Sequence, residues 1–192
     1  ASRVVYTLEP GPPVRFGPLR LVGTSSVPES AIRNRVAWNE GELFDPRLLE
    51  LTEGRLYQLD LIGSVQLEWP SSGKEVPISL GVSDAVPREV RVGGGVARDN
   101  VNWELRLRGE YRQADFFHPL QALRLELRPS LAFQEDLLEE VRPNIEALAS
   151  VTRDDFFIAR VRAELTAGYA LTQLEGVQVT GPRVSFGLQR AF

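Results

Sequence analysis

Residue types able to do chemistry are scarce in this chain. His118 is the single histidine and there is no cysteine, so neither a His/Cys metal set nor a thiolate nucleophile can be assembled. His118 stands in the aromatic stretch Phe116-Phe117-His118-Pro119 and reads as a solvated loop residue. No Gly-x-Ser-x-Gly occurs, which removes the nucleophile turn of an α/β-hydrolase. Gly93-Gly94-Gly95 follows a strand-like run but opens no helix and completes no Gly-x-Gly-x-x-Gly. It therefore reads as strand glycines, which mark a bulge, a bend or the close approach of another backbone, and not as a nucleotide loop. The acidic pairs Glu139-Glu140 and Asp154-Asp155 read as solvated turns rather than acid–base pairs or Ca²⁺ ligands. The expectation is a protein that is not an enzyme, with no catalytic residue, no metal and no cofactor.

The surrounding chain sets the frame. At 192 residues, one or two domains with a real core are expected. A net charge of −4 leaves no electrostatic footprint for nucleic acid. The lack of cysteine says nothing about compartment. Lys74 is the only lysine, which reads as genome composition. There is no initial Met and no apolar leader, so the chain reads as a processed or excised piece. No apolar run is long enough for a transmembrane helix. Barrel strands, only half apolar, would escape that test.

Periodicity divides the sequence near Ala85-Val86-Pro87. Before it, Phe16–Val22 reads as a strand. A helix is expected with Pro28 in its first turn and Ala31, Ile32, Val36 and Trp38 as its apolar stripe, ended by residues 39–42. A second helix is expected with Asp45 as N-cap, Pro46 at the first position, and Leu48, Leu49, Thr52, Leu56 and Leu59 on one face. Two strands follow, Ile62–Trp69 and Val76–Val82. This β-α-α-β-β order predicts two helices on a three-stranded sheet.

Beyond Pro87 every segment reads as strand and turn. Trp103, Leu105, Leu107, Gly109 and Tyr111 share one parity; Glu104, Arg106, Arg108, Glu110 and Arg112 take the other. The same design returns at residues 123–133, 144–152 and 157–171, and the last run, 177–192, carries Pro182 as a bulge or edge. Residues 134–142 read as a loop or short helix. Alternation of this kind suits either a soluble sheet with its charges in water or a membrane barrel with its charges in a wet lumen. The run lengths favour the barrel, because spanning strands need roughly 9–11 residues while soluble strands average nearer 5–6. Aromatics near strand ends (Trp103, Tyr111, Phe116, Phe117, Phe156, Phe157, Tyr169, Phe192) suit interfacial girdles.

Particular motifs carry a family resemblance. They are Tyr6-Thr7-Leu8-Glu9-Pro10-Gly11-Pro12, Leu19-Arg20-Leu21-Val22-Gly23, Gly41-Glu42-Leu43-Phe44-Asp45 and Leu59-Asp60-Leu61-Ile62-Gly63-Ser64-Val65. In this order they resemble a POTRA domain of the BamA/TamA outer-membrane assembly superfamily, the bacterial surface antigen family. Val90-Arg91-Val92-Gly93-Gly94-Gly95-Val96 resembles the Gly-rich first barrel strand that follows the last POTRA domain. Residues 110–117 and 123–129 resemble the next two strands. The chain departs from the family in lacking the Val-Arg-Gly-aromatic motif of the inward-folded extracellular loop, and it supplies only about six strands, fewer than a closed barrel of this kind.

The resemblance implies an α+β POTRA domain in the periplasm (1–86) followed by the N-terminal, incomplete portion of an all-β antiparallel outer-membrane barrel (87–192). It implies an assembly or translocation factor whose partners are unfolded outer-membrane or secreted clients, the lipid bilayer and a periplasmic partner protein, with no nucleic acid. By the same resemblance, the second POTRA strand is a client-binding edge, at Val65, Gln66, Leu67 and Glu68. The first barrel strand is a seam, at Arg91, Gly93, Gly94 and Gly95. A two-partner secretion transporter and a soluble periplasmic binding or scaffold module are the alternatives.

Overall fold

The computed structural model describes residues 12–23, 25–70, 73–98, 102–134, 141–174 and 177–190. Most of the expected lead-in Tyr6–Pro12, residues 99–101, residues 135–140 of the expected loop or short helix at 134–142, and the terminal Phe192 lie outside the described residues.

The first half builds β1 (Arg15–Val22), α1 (Glu29–Arg33), α2 (Pro46–Leu56), β2 (Ile62–Glu68) and β3 (Glu75–Asp84). β3 lies in the centre of a three-stranded sheet, parallel to β1 and antiparallel to β2. α2 starts as its sequence dictates: Pro46 opens it and the Asp45 carboxylate accepts from Arg47 N at 2.9 Å. It ends at Leu56 with Tyr57 as C-cap, so Leu59 packs into the core from the following turn. The other expected helix is much shorter than its apolar stripe. α1 stops at Arg33, and the chain then runs to Trp38, whose ring stacks on Phe16 at 4.9 Å. Two tertiary contacts break the helix: Ala37 N donates to Thr52 Oγ1 of α2, and Gly41 N donates to Phe16 O of β1. Both need backbone donors that a continuing helix would use internally. The core lies between helices and sheet, centred on Phe16, Leu56, Leu59, Ile78 and Leu80, all essentially inaccessible.

The second half is a six-stranded antiparallel meander in sequence order: β4 (Arg88–Arg98), β5 (Asn102–Gln113), β6 (Gln121–Gln134), β7 (Arg142–Arg153), β8 (Val161–Leu174) and β9 (Val177–Arg190). It is not closed, so β4 and β9 are its edges. Register holds the faces apart across the whole sheet. One row runs Val90, Tyr111, Leu125, Ala149, Ala167, Val184; another runs Val92, Gly109, Leu127, Ala147, Tyr169, Pro182. Pro182 is paired regularly and lies on the edge strand β9, with no bulge at that position. This apolar face is open: Val92, Leu107, Leu127, Leu165 and Phe186 are all exposed.

One expected strand start is corrected. Phe157 and Ala159 are not on β8, which begins at Val161. Residues 154–160 form a turn with Asp155, Phe157 and Arg160 in the left-handed region (φ 52°, 60° and 64°), a conformation that cannot continue a ladder. The β5–β6 turn has the same build. Phe117 has φ 59°, and Phe116 N donates to Gln121 O at 2.9 Å just as Phe156 N donates to Val161 O at 2.9 Å. Tyr169, expected near a strand end, lies well inside β8.

These two turns meet the first sheet's unit. Ala114 is buried in the same cluster as Val27, Ala31, Leu59 and Leu61. Arg35, only 3% exposed, donates to both Asp155 oxygens at 2.9 and 3.0 Å and to Ala31 O at 2.9 Å. Arg162 reaches Asp60 Oδ2 at 3.1 Å and Gln58 O at 2.8 Å, and Arg112 also pairs with Asp60. Charge-assisted, bidentate contacts of this kind fix geometry as well as proximity.

Candidate functional site

No described cluster of His, Cys, Asp and Glu could hold a metal ion. The features that could act on another molecule are strand edges, because an edge carries a row of main-chain donors and acceptors that a further strand can use.

In the first sheet the two edges differ. β1 is closed along its first half: Phe16 N donates to Glu42 O at 2.8 Å, Phe44 N to Val14 O at 2.9 Å, and Arg15 bridges Leu43. β2 is the other edge and carries all of Val65, Gln66, Leu67 and Glu68. Val65 and Leu67 pack on the core, while Gln66 and Glu68 are exposed. Alternation therefore leaves the backbone edge accessible while its apolar side chains stay anchored. Tyr57, at the end of α2, donates nothing to the core; its hydroxyl instead accepts from Val65 N at 3.3 Å. Sequence pattern did not single out Tyr57, because only the packing of α2 beside β2 brings its ring to that edge.

In the second sheet β4 carries Arg91, Gly93, Gly94 and Gly95 side by side on the first edge. Gly93 and Gly95 face Arg108 and Arg106 across the ladder, and a Cβ at either would meet nothing within 4 Å. Those two positions thus add backbone pairing but no side-chain contact, which is where sheets gain much of their stability. A Cβ at Gly94 would come within 3.1 Å of Leu107 Cδ2. Directly behind this stretch, β5–β6 pairing lapses at Leu107 and Arg108, opposite Pro129, whose ring nitrogen has no hydrogen to donate. The weak stretch therefore extends from the edge into the sheet.

The polar face is a contrast. Arg124 pairs with Glu110 (3.3 Å), Glu110 with Arg108 (3.2 Å), Arg108 with Glu126 (2.5 Å), Glu126 with Arg128 (2.7 Å), Arg128 with Glu146 (3.1 Å) and Glu146 with Arg183 (3.8 Å). Glu110 and Glu126 are buried within it. This ladder ties β5, β6 and β7 together and reaches β9. The strict polar parity made such pairing expected; the partners depend on register.

The first unit also matches a known domain. Residues 14–84 fit the family described as POTRA, surface antigen variable number repeat. Residues 14–84 are a POTRA domain. A POTRA domain running directly into an antiparallel meander, apolar on one face and charged on the other, is the arrangement that resemblance to the BamA/TamA superfamily implied. Among solved structures, the chain is similar to the crystal structure of BamA from Haemophilus ducreyi lacking POTRA domains 1-3. The TM-score is 0.40 and the identity 11%, covering 93% of this chain and 43% of that one. It is also similar to CdiB from Acinetobacter baumannii, with TM-score 0.37 and 7% identity, covering 94% of this chain and 43% of that one. The chain spans less than half the length of either. No curated protein matches it.

Two further features of the POTRA domain and its joint escaped sequence reasoning. Arg35 is one; it lies just past the end of α1, and no local pattern marks it as the buried partner of Asp155. Asp60 is the other, and no local pattern marks it as the shared partner of Arg112 and Arg162.

Proposed function

We propose that the chain is the POTRA-plus-first-strands part of an outer-membrane assembly or translocation factor. In this reading residues 1–86 form the periplasmic domain and residues 87–192 begin a barrel that spans the outer membrane. β2 of the POTRA domain receives extended client segments at Val65, Gln66, Leu67 and Glu68 by main-chain pairing, and β4 is the seam at which strands are admitted to the membrane. Clients are unfolded outer-membrane or secreted proteins, the bilayer is the second partner, and a periplasmic protein assists. No step requires a catalytic group or a cofactor.

The observation that carries the reading is the combination on β4: an edge strand of a one-face-apolar meander in which Gly93 and Gly95 contribute no side chain to pairing. An apolar face this extensive needs lipid or a partner to cover it, and an edge in lipid must pair. The charged ladder on the opposite face is what a wet lumen accommodates. The test is Gly93→Val with Gly95→Val in the full-length protein. A Cβ at either position meets nothing within 4 Å, and each valine should strengthen β4 by about 0.2–1 kcal/mol through cross-strand contacts. Outer-membrane protein levels should fall while the variant itself still reaches the membrane. Unchanged levels sink the seam. If a single secreted protein is lost while general assembly is spared, the transporter of a dedicated client is the role instead.

A further inference from the structure

The β5–β6 and β7–β8 turns share one design. Each carries Asp-Phe-Phe, at Asp115-Phe116-Phe117 and at Asp155-Phe156-Phe157. The second phenylalanine is left-handed in both and nearly fully exposed, 88% for Phe117 and 91% for Phe157. Gln121 N donates to His118 O at 2.9 Å just as Val161 N donates to Ile158 O at 3.2 Å. The two aspartates nonetheless have opposite fates. Asp155 accepts from Arg160 N at 2.8 Å and from the Arg35 fork at 2.9 and 3.0 Å. In the other turn the matching N–H, that of Leu120, goes to His118 Nδ1 at 3.2 Å instead. The imidazole thus relieves Asp115 of its local donor, and no arginine stands where Arg35 stands for Asp155. Among the described residues the Asp115 carboxylate has no hydrogen bond and no ion pair. Asp155, the clamped one, also has a left-handed backbone (φ 52°), which Asp115 lacks. Asp115 lies in the wall of an open cavity of about 350 Å³ at the joint. Leu61 and Asp84 of the POTRA domain, Pro87, Phe117 and His118 complete that wall, and no arginine or lysine lines it. Both Asp84 oxygens already accept from Ser25 and Ser26, so Asp84 adds negative charge while Asp115 offers the open acceptors.

We propose that this cavity takes an arginine side chain of a folded periplasmic partner protein, which clamps Asp115 as Arg35 clamps Asp155. A guanidinium fork matches a carboxylate with two parallel hydrogen bonds. Its plane can also lie on the exposed ring of Phe117, and covering that ring removes apolar surface from water. The negative wall repels an anion and leaves an arriving cation no competitor. The occupant is a fixed partner and not a client, because such a pocket reads one side chain at one place. Clients of many sequences are read through their main chain instead. The periplasmic setting of the partner rests on the placement proposed above; recognition of a guanidinium does not.

The experiment uses the full-length protein in uncharged detergent, with para-fluorophenylalanine in place of Phe117 as a fluorine NMR reporter. The probes are acetyl-arginine amide and its lysine and citrulline analogues. The arginine probe should give a saturable shift of the fluorine signal. Binding should weaken by about tenfold or more in Asp115→Asn, and by as much for citrulline, which keeps the shape of arginine without its charge. Lysine, a point charge without the fork, should bind more weakly than arginine. Asp115 is exposed and unpaired, so Asp115→Asn should keep the wild-type thermal midpoint. Glu40→Gln, an exposed carboxylate outside the cavity, should bind as the wild type does. No saturable shift, a response unchanged in Asp115→Asn, or equal binding of citrulline or lysine overturns the site. A photo-crosslinker in place of Pro119 then tests the partner in cells. One protein should be captured, and changing the arginine in its captured segment to glutamine should abolish capture. Capture spread over many unrelated clients overturns the assignment to a fixed partner. The NMR readouts do not depend on client assembly, so the seam can fail while the arginine pocket stands, and the reverse.

Discussion

Single side chains decide how the POTRA domain is clasped to itself. Asp84 ends β3 and holds the turn after β1: its Oδ1 accepts from Ser25 Oγ at 2.5 Å and its Oδ2 from Ser26 N at 2.8 Å, while Ser25 Oγ accepts from Val27 N at 3.1 Å. Burial pushes the Asp84 carboxyl up, but the hydrogen bonds from Ser25 and Ser26 outweigh it and hold the group below its usual value. A depressed folded-state value means the carboxylate binds fewer protons folded than unfolded. Its contribution is thus present above the unfolded value, about 3.9, and is lost as pH falls through the lower folded value. The clasp is solvent-exposed, so the contribution is small. In Asp84→Asn the thermal midpoint should lie below wild type at neutral pH, and the gap should close in acid. A gap that stays constant from pH 7 to pH 2 would remove the carboxylate from the account.

At the scale of elements, the two candidate edges are tuned in opposite ways. β4 is weakened by missing side chains at Gly93 and Gly95 and by Pro129 two strands behind. β2 is instead guarded, because the Tyr57 hydroxyl occupies the Val65 N–H that an incoming strand would use. Exchanging that hydroxyl for a client carbonyl costs one hydrogen bond, worth about 0.5–1.5 kcal/mol net. Tyr57→Phe should therefore raise capture of an extended client peptide by roughly 2–10-fold, read with a photo-crosslinker at exposed Gln66. Capture unchanged by the substitution would leave Tyr57 without a role at the edge. If neither protein captures the peptide, β2 is not the receiving strand.

For the molecule as a whole, the joint sets how the POTRA domain is aimed. Arg35 is buried, its partner Asp155 belongs to the β7–β8 turn, and Asp60 bridges to β5 and β8. Losing one partner of a buried pair leaves the other uncompensated, at about 3–5 kcal/mol where burial is complete. Arg35→Gln should accordingly loosen the joint before it unfolds either unit. Spin labels at exposed Glu40 and Gln178 should give a single narrow distance distribution in the wild type and a broadened one in the variant. Equal widths would show that the buried Ala114 contact, not the ion pair, holds the orientation.

Local patterns were enough for much of this. Asp45-Pro46 located the start of α2, and the strict parity of residues 103–112 located both faces of the meander. The motifs from Leu19 to Val65 marked the POTRA domain. These signals are local because capping and strand alternation act within a few residues of chain. They failed where a distant partner competed for the backbone. α1 ended early because Thr52 and Phe16 took the donors that would have extended it, and Phe157 left β8 because the turn had to bring Asp155 to Arg35. The sequence by itself determined the elements, their order and which face of each strand is apolar. Only the tertiary structure decided that Tyr57 caps β2, that Pro129 lies behind Gly93 and Gly94, and that Asp60 is shared by Arg112 and Arg162. Those relations join residues far apart in the chain, and nothing in local periodicity encodes them.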